Sequence, residues 1–467
     1  MSAALMLARD GHKVTLVERD SFVVGAPEDS PQWPRKGVPH FLQPHAFIPR
    51  GRRELIENLP DIYDTLVSAG ARDVDGRAKL PGEIRPEDAD LQFMAVRRPL
   101  IEWALRRAVD EDPTIRVEAN VQVTGLSVEN EQVSAVHTDG SELACDLVVD
   151  ALGRRSRTAD WVAEATGNAQ TDIDATESSD CGVVYYSRYY RIRPGFELPD
   201  GPWVLGPRGD LGYMGFATFP GDNGTFAVTL SVPTGFPEWH VLKDAAPFEA
   251  CVSRIPALRL WVDPEGVEPL TDVMAMAGLN NTIRRCETIS PIGLIPIGDA
   301  YCHTDPVVAY GLSFGLMHAV GLSQALRDHD DLGDACSAYA EATFPVLRER
   351  YDLSSALDDQ RHRMWSGEPV DPTRRDGAYA LFTLVAGGAV SAVDPEVFRL
   401  NARRTGLLDS TSVLDSNIDM QKHIEQVFHQ MLETPRPPPG PTRDAMLEAA
   451  NNTSELPEPG LSSSVRR

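Results

Sequence analysis

The chain opens on a helix, a tight turn, an apolar strand and an acidic residue, in that order. The apolar residues of MSAALMLARDG recur at steps of three and four, which predicts a helix closed by Gly11. Val14, Leu16 and Val17 then form a short apolar strand that ends at Glu18. A carboxylate there can accept hydrogen bonds from the vicinal hydroxyls of a ribose. The pattern is typical of the second half of a dinucleotide-binding βαβ unit, and the strand and glycine-rich phosphate loop of the first half are absent from the sequence.

Charge and cysteine content narrow the class of protein. The 467 residues include 44 Lys plus Arg against 69 Asp plus Glu, a net charge of -25, which argues against nucleic acid or an anionic membrane as a partner. Six scattered cysteines without a C-x-x-C pair indicate reduced thiols instead of disulfides or a zinc site. The chain shows no signal peptide, and its longest apolar stretch, residues 378–393, is short for a membrane span. We therefore expect a soluble cytoplasmic protein with no transmembrane segment.

The order of the later elements predicts an α/β (α+β) fold. A helix is expected near residues 50–70, strands between 115 and 152, and a β-rich stretch from about 180 to 232 with a hairpin turn at GDNG. From Gly311 to about residue 433 the pattern is helical. We expect a Rossmann-like cofactor-binding domain in two stretches, at residues 1–165 and 276–330. An inserted, mainly antiparallel β-sheet substrate domain is expected at residues 166–275. A helical C-terminal region should follow at residues 331–435 and a flexible Pro-rich tail at residues 436–467.

A second candidate ligand contact follows the apolar segment PIGLIPIGDA. Glycine lets the backbone approach a ligand closely, and Asp299 can bond sugar or ribityl hydroxyls. A helix that begins at Gly311 would point its first amides at an anionic group. A plain strand-to-helix turn explains the same residues equally well when they are taken alone.

Five segments in order resemble the flavin-dependent monooxygenases of the para-hydroxybenzoate hydroxylase type, and within them the branch of epoxidases and geranylgeranyl-type reductases. They span roughly residues 1 to 330 and read LARDGHKVTLVERD, RKGVP, Arg98-Pro99-Leu100, DLVVDALGRRS and GDAYCHTDPVVAYGLS. The resemblance implies an FAD-dependent monooxygenase that hydroxylates or epoxidises an apolar small molecule with dioxygen, through a flavin C4a-hydroperoxide. It leaves two alternatives open: a flavin-dependent reductase of prenyl-type double bonds, and a truncated or inactive flavoprotein that binds FAD poorly.

The resemblance also implies roles for individual residues. Glu18 would hold the adenosine ribose of FAD, Arg98 would contact the flavin nucleotide, and Asp299 would bind the ribityl chain or the pyrophosphate. The other implied cofactor-binding residues are Arg19, Arg35, Lys36, Val121, Gly153, Pro306, Gly311 and Leu312. A solvated basic pair is an equally good explanation for Arg35 and Lys36, and no catalytic residue is identified.

Departures from the family pattern bear on the electron donor and on the start of the chain. Leu152 replaces the family's usual aspartate, which favours flavin binding over direct use of NADPH, so the candidate donors are NAD(P)H and a separate flavin reductase. Ala309 stands where a glycine is usual, and we expect its methyl group to be tolerated if the backbone is not left-handed. Because the glycine-rich loop should directly precede Met1, we expect Met1 to be an internal methionine of a longer flavoprotein, and this chain to bind FAD poorly.

Two further groups of polar residues have more than one explanation. Strand alternation places Tyr186 and Arg188 on one face and Tyr185 and Tyr189 on the other, so part of the set should meet the pocket, and sheet packing is the favoured explanation of the tyrosines. His303 and Asp305 lie in the loop before Gly311. A polar pair that supports the loop is favoured over a general base.

Overall fold

The computed structural model describes residues 1–21, 23–167, 176–198, 206–284, 291–368, 379–433 and 440–452. Within these ranges the helices are α1 Ser2–Arg9, α2 Pro49–Asn58, α3 Pro60–Ser68, α4 Arg98–Glu111, α5 Thr158–Thr166, α6 Ala245–Arg254, α7 Gly311–Asp328, α8 Leu332–Trp365, α9 Tyr379–Ser391, α10 Pro395–Thr405, α11 Ser412–Asp415, α12 Ile418–Leu432 and α13 Arg443–Asn451. The strands are β1 Val14–Glu18, β2 Arg72–Asp75, β3 Gln92–Ala95, β4 Ile115–Ala119, β5 Val123–Glu129, β6 Gln132–Thr138, β7 Glu142–Ala144, β8 Val148–Asp150, β9 Thr176–Asp180, β10 Val183–Ile192, β11 Arg208–Asp210, β12 Gly215–Pro220, β13 Thr225–Pro233, β14 Val267–Pro269, β15 Met274–Met276, β16 Asn280–Arg284, β17 Leu294–Pro296 and β18 Cys302–His303.

The predicted opening of the chain is confirmed. Helix α1 buries residues 3 to 8, and Gly11, with φ +94°, turns the chain into β1 in a conformation that favours glycine. Strand β1 pairs in parallel with β4, with Leu16 opposite Val117 and Glu18 opposite Ala119. Glu18 therefore lies at the carboxyl end of a parallel strand pair, the edge at which α/β folds bind their ligands.

Two strands from opposite sides of the β-rich stretch lie side by side. Strand β8 pairs in parallel with β17, with Val149 opposite Ile295, and the amide of Ile297 donates to the carbonyl of Asp150 over 3.0 Å. Parallel strands end at one edge, so the turn that begins at Gly298 lies beside the segment after Asp150. Helices α1, α2, α4 and α7 share one apolar core with these strands.

The β-rich stretch forms a mainly antiparallel sheet of six strands in the order β11-β12-β13-β10-β14, with β15 also paired to β10. The predicted hairpin is confirmed, since β12 and β13 pair on either side of the turn at residues 221–224. One face of the sheet packs on α6 through a core that includes Tyr186, Tyr190 and Phe248. Tyr185 lies in a different apolar cluster with Val183 and Trp365, as strand alternation requires.

The C-terminal part is helical, as predicted, and differs from expectation at its end. Helices α7 and α8 pack together, and α9, α10 and α12 enclose a separate apolar core. The tail predicted to be flexible instead contains helix α13, whose Met446 is fully buried against the β-sheet core. The reason is an apolar stripe of Met446, Ala449 and Ala450 at helical spacing. Residues 434–439 and 453–467, the rest of the predicted tail, lie outside the described residues.

Two smaller findings complete the description. The helix predicted near residues 50–70 is two helices, α2 and α3, because Pro60 cannot donate the amide hydrogen bond that a continuous helix needs. In the part of the chain that the structure describes, every helix is too short or too polar to cross a bilayer.

Candidate functional site

A polar surface cleft of about 330 Å³ lies beside the end of β1. Its lining combines two cations, two carboxylates and two amides, namely Arg19, Lys36, Asp20, Asp139, Asn120 and Gln122. These side chains offer both donors and acceptors, which is what a base and a ribose require. The amide of Val121 donates to the carbonyl of Glu18 over 3.1 Å, so the predicted Val121 fixes the strand end next to the cleft through its backbone.

Arg35 joins three acidic residues next to this cleft. Its guanidinium contacts Glu18 at 2.9 Å, Asp20 at 3.0 Å and Glu102 at 2.9 Å, and only 7% of its side chain is exposed. Burial opposes the charge, but the carboxylates of Glu102 and Glu18 outweigh it and raise the pKa of Arg35. The hydrogen bonds of Arg35 thus go to the acids that line the predicted cofactor site, while Lys36 faces the cleft itself.

Arg98 extends this series of polar contacts from Glu102 to His40. Its Nε donates to Glu102 over 2.7 Å, and its Nη1 donates to Nε2 of His40 over 2.6 Å. Because an arginine only donates, His40 is held as a neutral acceptor. The other titratable side chains facing His40 are Asp299, His45 and His303. An uninterrupted series of contacts therefore runs from Glu18 through Arg35, Glu102 and Arg98 to His40, and the charge of Asp299 acts on His40.

The turn that carries Asp299 is held by a hydrogen bond to helix α7. The amide of Gly298 donates to Nδ1 of His318 over 2.8 Å, and burial lowers the pKa of His318 to about 3, so this ring also stays neutral. Oδ1 of Asp299 lies 3.8 Å from the position that a Cβ would take on Gly311. The first turn of α7 and Asp299 thus face each other, and among the described residues no atom lies within 4 Å of the corresponding position at Gly298.

The remaining predicted residues lie around this turn. Gly153 has φ +76° with open space beside it, in the loop that Asp150 ties together by accepting from Ser156 at 2.6 Å. Pro306 and Leu312 are half-buried on either side of Gly311. Two apolar side chains, Leu152 and Val307, are each 48% exposed.

The loop of residues 305–310 departs from one expectation. Ala309 has φ +58°, so its backbone is left-handed, the condition under which we expected its methyl group to be disfavoured. A left-handed non-glycine residue costs about 1–2 kcal/mol. The loop is held at its start by Asp305, which is fully buried and accepts the hydroxyl of Tyr185 at 2.5 Å. His303 donates from Nδ1 to the carbonyl of Asn280 on the neighbouring strand over 2.7 Å, so Nδ1 is the protonated nitrogen.

Several residues of this site were not identified from the sequence. His40 and His45 are the main ones: burial, and then Arg98, lower the pKa of each to about 3. The repeated Pro-His pair in GVPHFLQPH is the signal that could have identified them. Asp20, Glu102 and His318 were also not identified. The same holds for Asn120, Gln122 and Asp139, which nothing in their local sequence sets apart from ordinary turn residues.

Comparison with known proteins bears on the fold of the chain. No protein-family profile matches the chain. Protein Rv3254 of Mycobacterium tuberculosis is 26% identical over 451 residues, which cover 89% of each protein. PqsL, a probable FAD-dependent monooxygenase of Pseudomonas aeruginosa, superposes with a TM-score of 0.54 at 17% identity, over 82% of this chain and 95% of PqsL. The flavin-dependent brominase Bmp2 superposes with a TM-score of 0.53 at 16% identity, over 92% of this chain and 95% of Bmp2.

These similarities define the class of fold. The chain has the α/β fold of flavin-dependent monooxygenases and halogenases, with a helical C-terminal region, so the predicted fold class and the predicted resemblance are confirmed at the level of the fold. PqsL has also been crystallised with 2-aminobenzoylacetate, in a structure that superposes with a TM-score of 0.56 at 16% identity over 82% of this chain and 95% of PqsL.

Proposed function

We propose that the chain is an FAD-dependent oxidoreductase, and specifically a monooxygenase that hydroxylates or epoxidises an apolar small molecule. The observation that carries the proposal is the series of contacts from Glu18 to His40, beside Asp299. It connects a polar cleft at the end of β1 with the turn at the end of β17. A dinucleotide lies along the carboxyl edge of parallel strands, with one nucleotide at each end.

The residues present fit FAD in their chemistry. At one end, Glu18, Asn120 and Gln122 supply the acceptors and donors that a ribose and a base need. At the other end, Asp299 supplies a carboxylate for hydroxyl groups, and it faces the first turn of α7, whose amides favour an anion. Arg98 supplies the positive charge between them, held by His40 and Glu102.

In this proposal FAD supplies the redox chemistry when bound, and the protein supplies binding, orientation and the exclusion of water. Arg98 is oriented before any ligand arrives, because two partners fix its guanidinium. His40 and His318 stay neutral, so they leave the positive charge of the site to Arg98, Arg19 and Lys36. The apolar cluster of Val183, Tyr185, Leu279 and Trp365 reaches the 305–310 loop through the Tyr185 hydroxyl and would keep water from that side.

A small molecule as substrate is supported by the 2-aminobenzoylacetate bound to PqsL, and its apolar character is supported by this cluster alone. Dioxygen is the second substrate that a monooxygenase requires. For the electron donor we propose a separate flavin reductase or NAD(P)H, and the exposed Leu152 supports the former, because an apolar side chain offers no hydrogen bond to a nicotinamide nucleotide. The five described cysteines are unpaired, which supports a cytoplasmic location.

Titration of the purified chain with FAD tests the cofactor assignment. Asp299→Asn removes a charged acceptor, and since such hydrogen bonds contribute about 1.5–3 kcal/mol, the FAD dissociation constant should rise about 10- to 100-fold. Asp328→Asn, at the exposed end of the neighbouring helix α7, is the matched control and should leave it unchanged. A folded chain that takes up no FAD would refute the proposal and favour the alternative, a truncated or inactive flavoprotein that binds FAD poorly. Oxygen consumption by the reduced, FAD-loaded chain then decides the reaction: stimulation by substrate supports a monooxygenase, while anaerobic reduction of a prenyl-type double bond supports the reductase.

A further inference from the structure

A buried polar cluster joins three separate parts of the chain at the base of the 305–310 loop. Asp305 accepts the hydroxyl of Tyr185, from β10, at 2.5 Å and Nη2 of Arg361, from α8, also at 2.5 Å. The same Nη2 donates to Asp358 over 2.7 Å. Asp358 also accepts from Asn281 of β16 at 2.7 Å. The loop, the sheet and the long helix α8 are therefore held together by one set of side chains.

The charges in this cluster do not balance without a proton. Asp305 is 0% exposed, Asp358 2% and Arg361 7%, so two carboxyl groups share a single guanidinium away from water. Around them, burial raises the pKa of the Tyr185 hydroxyl and of the Cys181 thiol, which keeps both neutral. Burial also raises the pKa of Asp210, which accepts a hydrogen bond from Trp365, the ring beneath the Arg361 guanidinium. His362 lies alongside with Nδ1 against Gly182. A buried excess negative charge is costly, and a proton removes it.

We propose that Asp305 and Asp358 hold one proton, that Asp358 carries it, and that this protonated pair is a positioning device that fixes the 305–310 loop to the β-sheet. The strength of the donors indicates which residue is charged. Asp305 receives a hydroxyl from Tyr185, the guanidinium of Arg361 and the amide of Val307 at 3.1 Å. Asp358 receives Arg361, the amide of Asn281 and the thiol of Cys181, which is only a weak donor. A carboxylate is stabilised by each donor it receives, so the negative charge belongs on Asp305.

The electrostatic balance points the same way. Burial, together with the neighbouring Asp305, raises the pKa of Asp358 to about 9. Burial acts against the charge on Asp305 as well, but Arg361 and the hydrogen bonds from Asp358 and Tyr185 outweigh it and hold the pKa of Asp305 below its usual range. At neutral pH the pair therefore carries one negative charge, which matches the one positive charge of Arg361.

A metal ion is the other way to neutralise such a group, and the geometry disfavours it. The Sγ of Cys181 and one oxygen of each carboxyl group lie within 4.8 Å of one another, a spacing that could hold a cation. However, Nη2 of Arg361 already contacts both carboxyl groups, at 2.5 and 2.7 Å. A second cation would be repelled by the guanidinium, and its thiol ligand would first have to lose a proton.

The pair makes loop position depend on pH. When Asp358 loses its proton to hydroxide, two carboxylates face one guanidinium and repel each other. The pKa of Asp358 is raised in the folded chain, so its stabilising contribution is complete at acid pH and is lost as the pH rises through about 9. Between about pH 5 and about pH 8, unfolding should release this proton, and the unfolding constant attributable to it should rise about tenfold per pH unit.

The test compares full-length wild type with Asp358→Asn, using Asp359→Asn, an exposed neighbour on the same helix, as the matched control. Asparagine is neutral like the protonated acid but does not titrate, so Asp358→Asn should unfold with a constant within about tenfold of wild type at about pH 4 and become increasingly more stable than wild type as the pH rises. Asp305→Asn removes the negative charge that pairs with Arg361 and should reduce the folding constant at least about a hundredfold. The ratio of wild-type to Asp358→Asn unfolding constants should rise about tenfold per pH unit over this range. A ratio independent of pH, or equal losses in the two variants, would overturn the proposal.

Two measurements on wild type keep the proposal testable if a variant does not fold. Infrared spectra with isotopically labelled aspartate should show the carbonyl stretch of a protonated carboxyl group at neutral pH, and its absence would refute the shared proton. Hydrogen exchange at the amides of residues 307–310 should accelerate, beyond the intrinsic effect of base, as the pH passes about 9. Exchange that follows the intrinsic rate alone would refute the positioning role. Neither measurement depends on FAD, so this inference can fail while the proposed function stands.

Discussion

Removal of the Arg35 side-chain charge is the sharpest test of this series of polar contacts. Arg35→Met keeps most of the aliphatic stem and removes the guanidinium that contacts Glu18, Asp20 and Glu102. Asp20 and Glu102 have side chains only 6% and 7% exposed, so water cannot replace the lost partner. We expect a large loss of stability because two buried carboxylates and one half-buried carboxylate then face each other.

The magnitude follows from the contacts. At charge separations of about 4 Å and an effective dielectric constant of about 20, each attraction amounts to about 4 kcal/mol before the cost of desolvation. Glu102 retains Arg98 as a second partner, so its charge is only partly orphaned. Breaking a buried ion pair on one side typically costs about 3–5 kcal/mol, and we expect Arg35→Met to lower the free energy of unfolding by about that amount.

Urea unfolding at neutral pH measures the effect. Arg116→Met, on the strand that pairs with β1 and with its side chain 68% exposed, is the control and should stay within about 0.5 kcal/mol of wild type. Asp20→Asn in the Arg35→Met background removes one orphaned charge, so the double variant should be more stable than the sum of the single losses predicts by about 1–3 kcal/mol. Arg35→Met with a cost as small as that of Arg116→Met, or strictly additive losses, would show that Arg35 does not compensate these acids.

Two further predictions concern the loop and the histidines. Ala309→Gly removes the strain of a left-handed alanine, while the greater freedom of glycine in the unfolded chain offsets part of the gain. The variant should therefore be more stable than wild type by about 0.5–1 kcal/mol in the same urea assay. A destabilised variant would contradict the assigned backbone conformation. Burial lowers the pKa of His40, His45 and His318 to about 3, so their stabilising contribution is present above about pH 6.5 and falls as the pH drops toward about 3, by about 1.4 kcal/mol per pH unit for each histidine. His318→Asn keeps an acceptor for Gly298 and should reduce that slope by one proton, whereas an unchanged slope would mean that His318 is not held neutral.

Local patterns predicted the elements that bring the site together, and they missed the contacts that depend on distant parts of the chain. The spacing of apolar residues was sufficient for α1, β1 and the β12–β13 hairpin, since each rests on neighbours in sequence. Alternation along β10 separated Tyr185 from Tyr186 correctly. It could not predict that Tyr185 meets Asp305, because their contact joins residues 120 positions apart. Arg35 was identified as a charge near the cofactor, but its three acidic partners come from two other segments.

Ala309 and α13 show a second limit of sequence reasoning. The sign of a backbone angle is set by the whole loop, and a substitution away from glycine does not reveal it. The Pro-rich composition after residue 433 concealed the apolar stripe of α13, which has a place only because α6 presents a complementary face.

The return of α13 to the β-sheet has a consequence for synthesis of the chain. Cys251 of α6 donates its thiol hydrogen to the carbonyl of Met446, 195 residues later, over 3.7 Å. At about 5–20 residues per second, a ribosome needs about 10–40 s to add those residues. During that time the face of α6 that Met446 will cover is exposed on a nascent chain, where it can be bound by chaperones or associate with another nascent copy. Full burial of this face is thus a late event, completed only when the last described helix has left the ribosome.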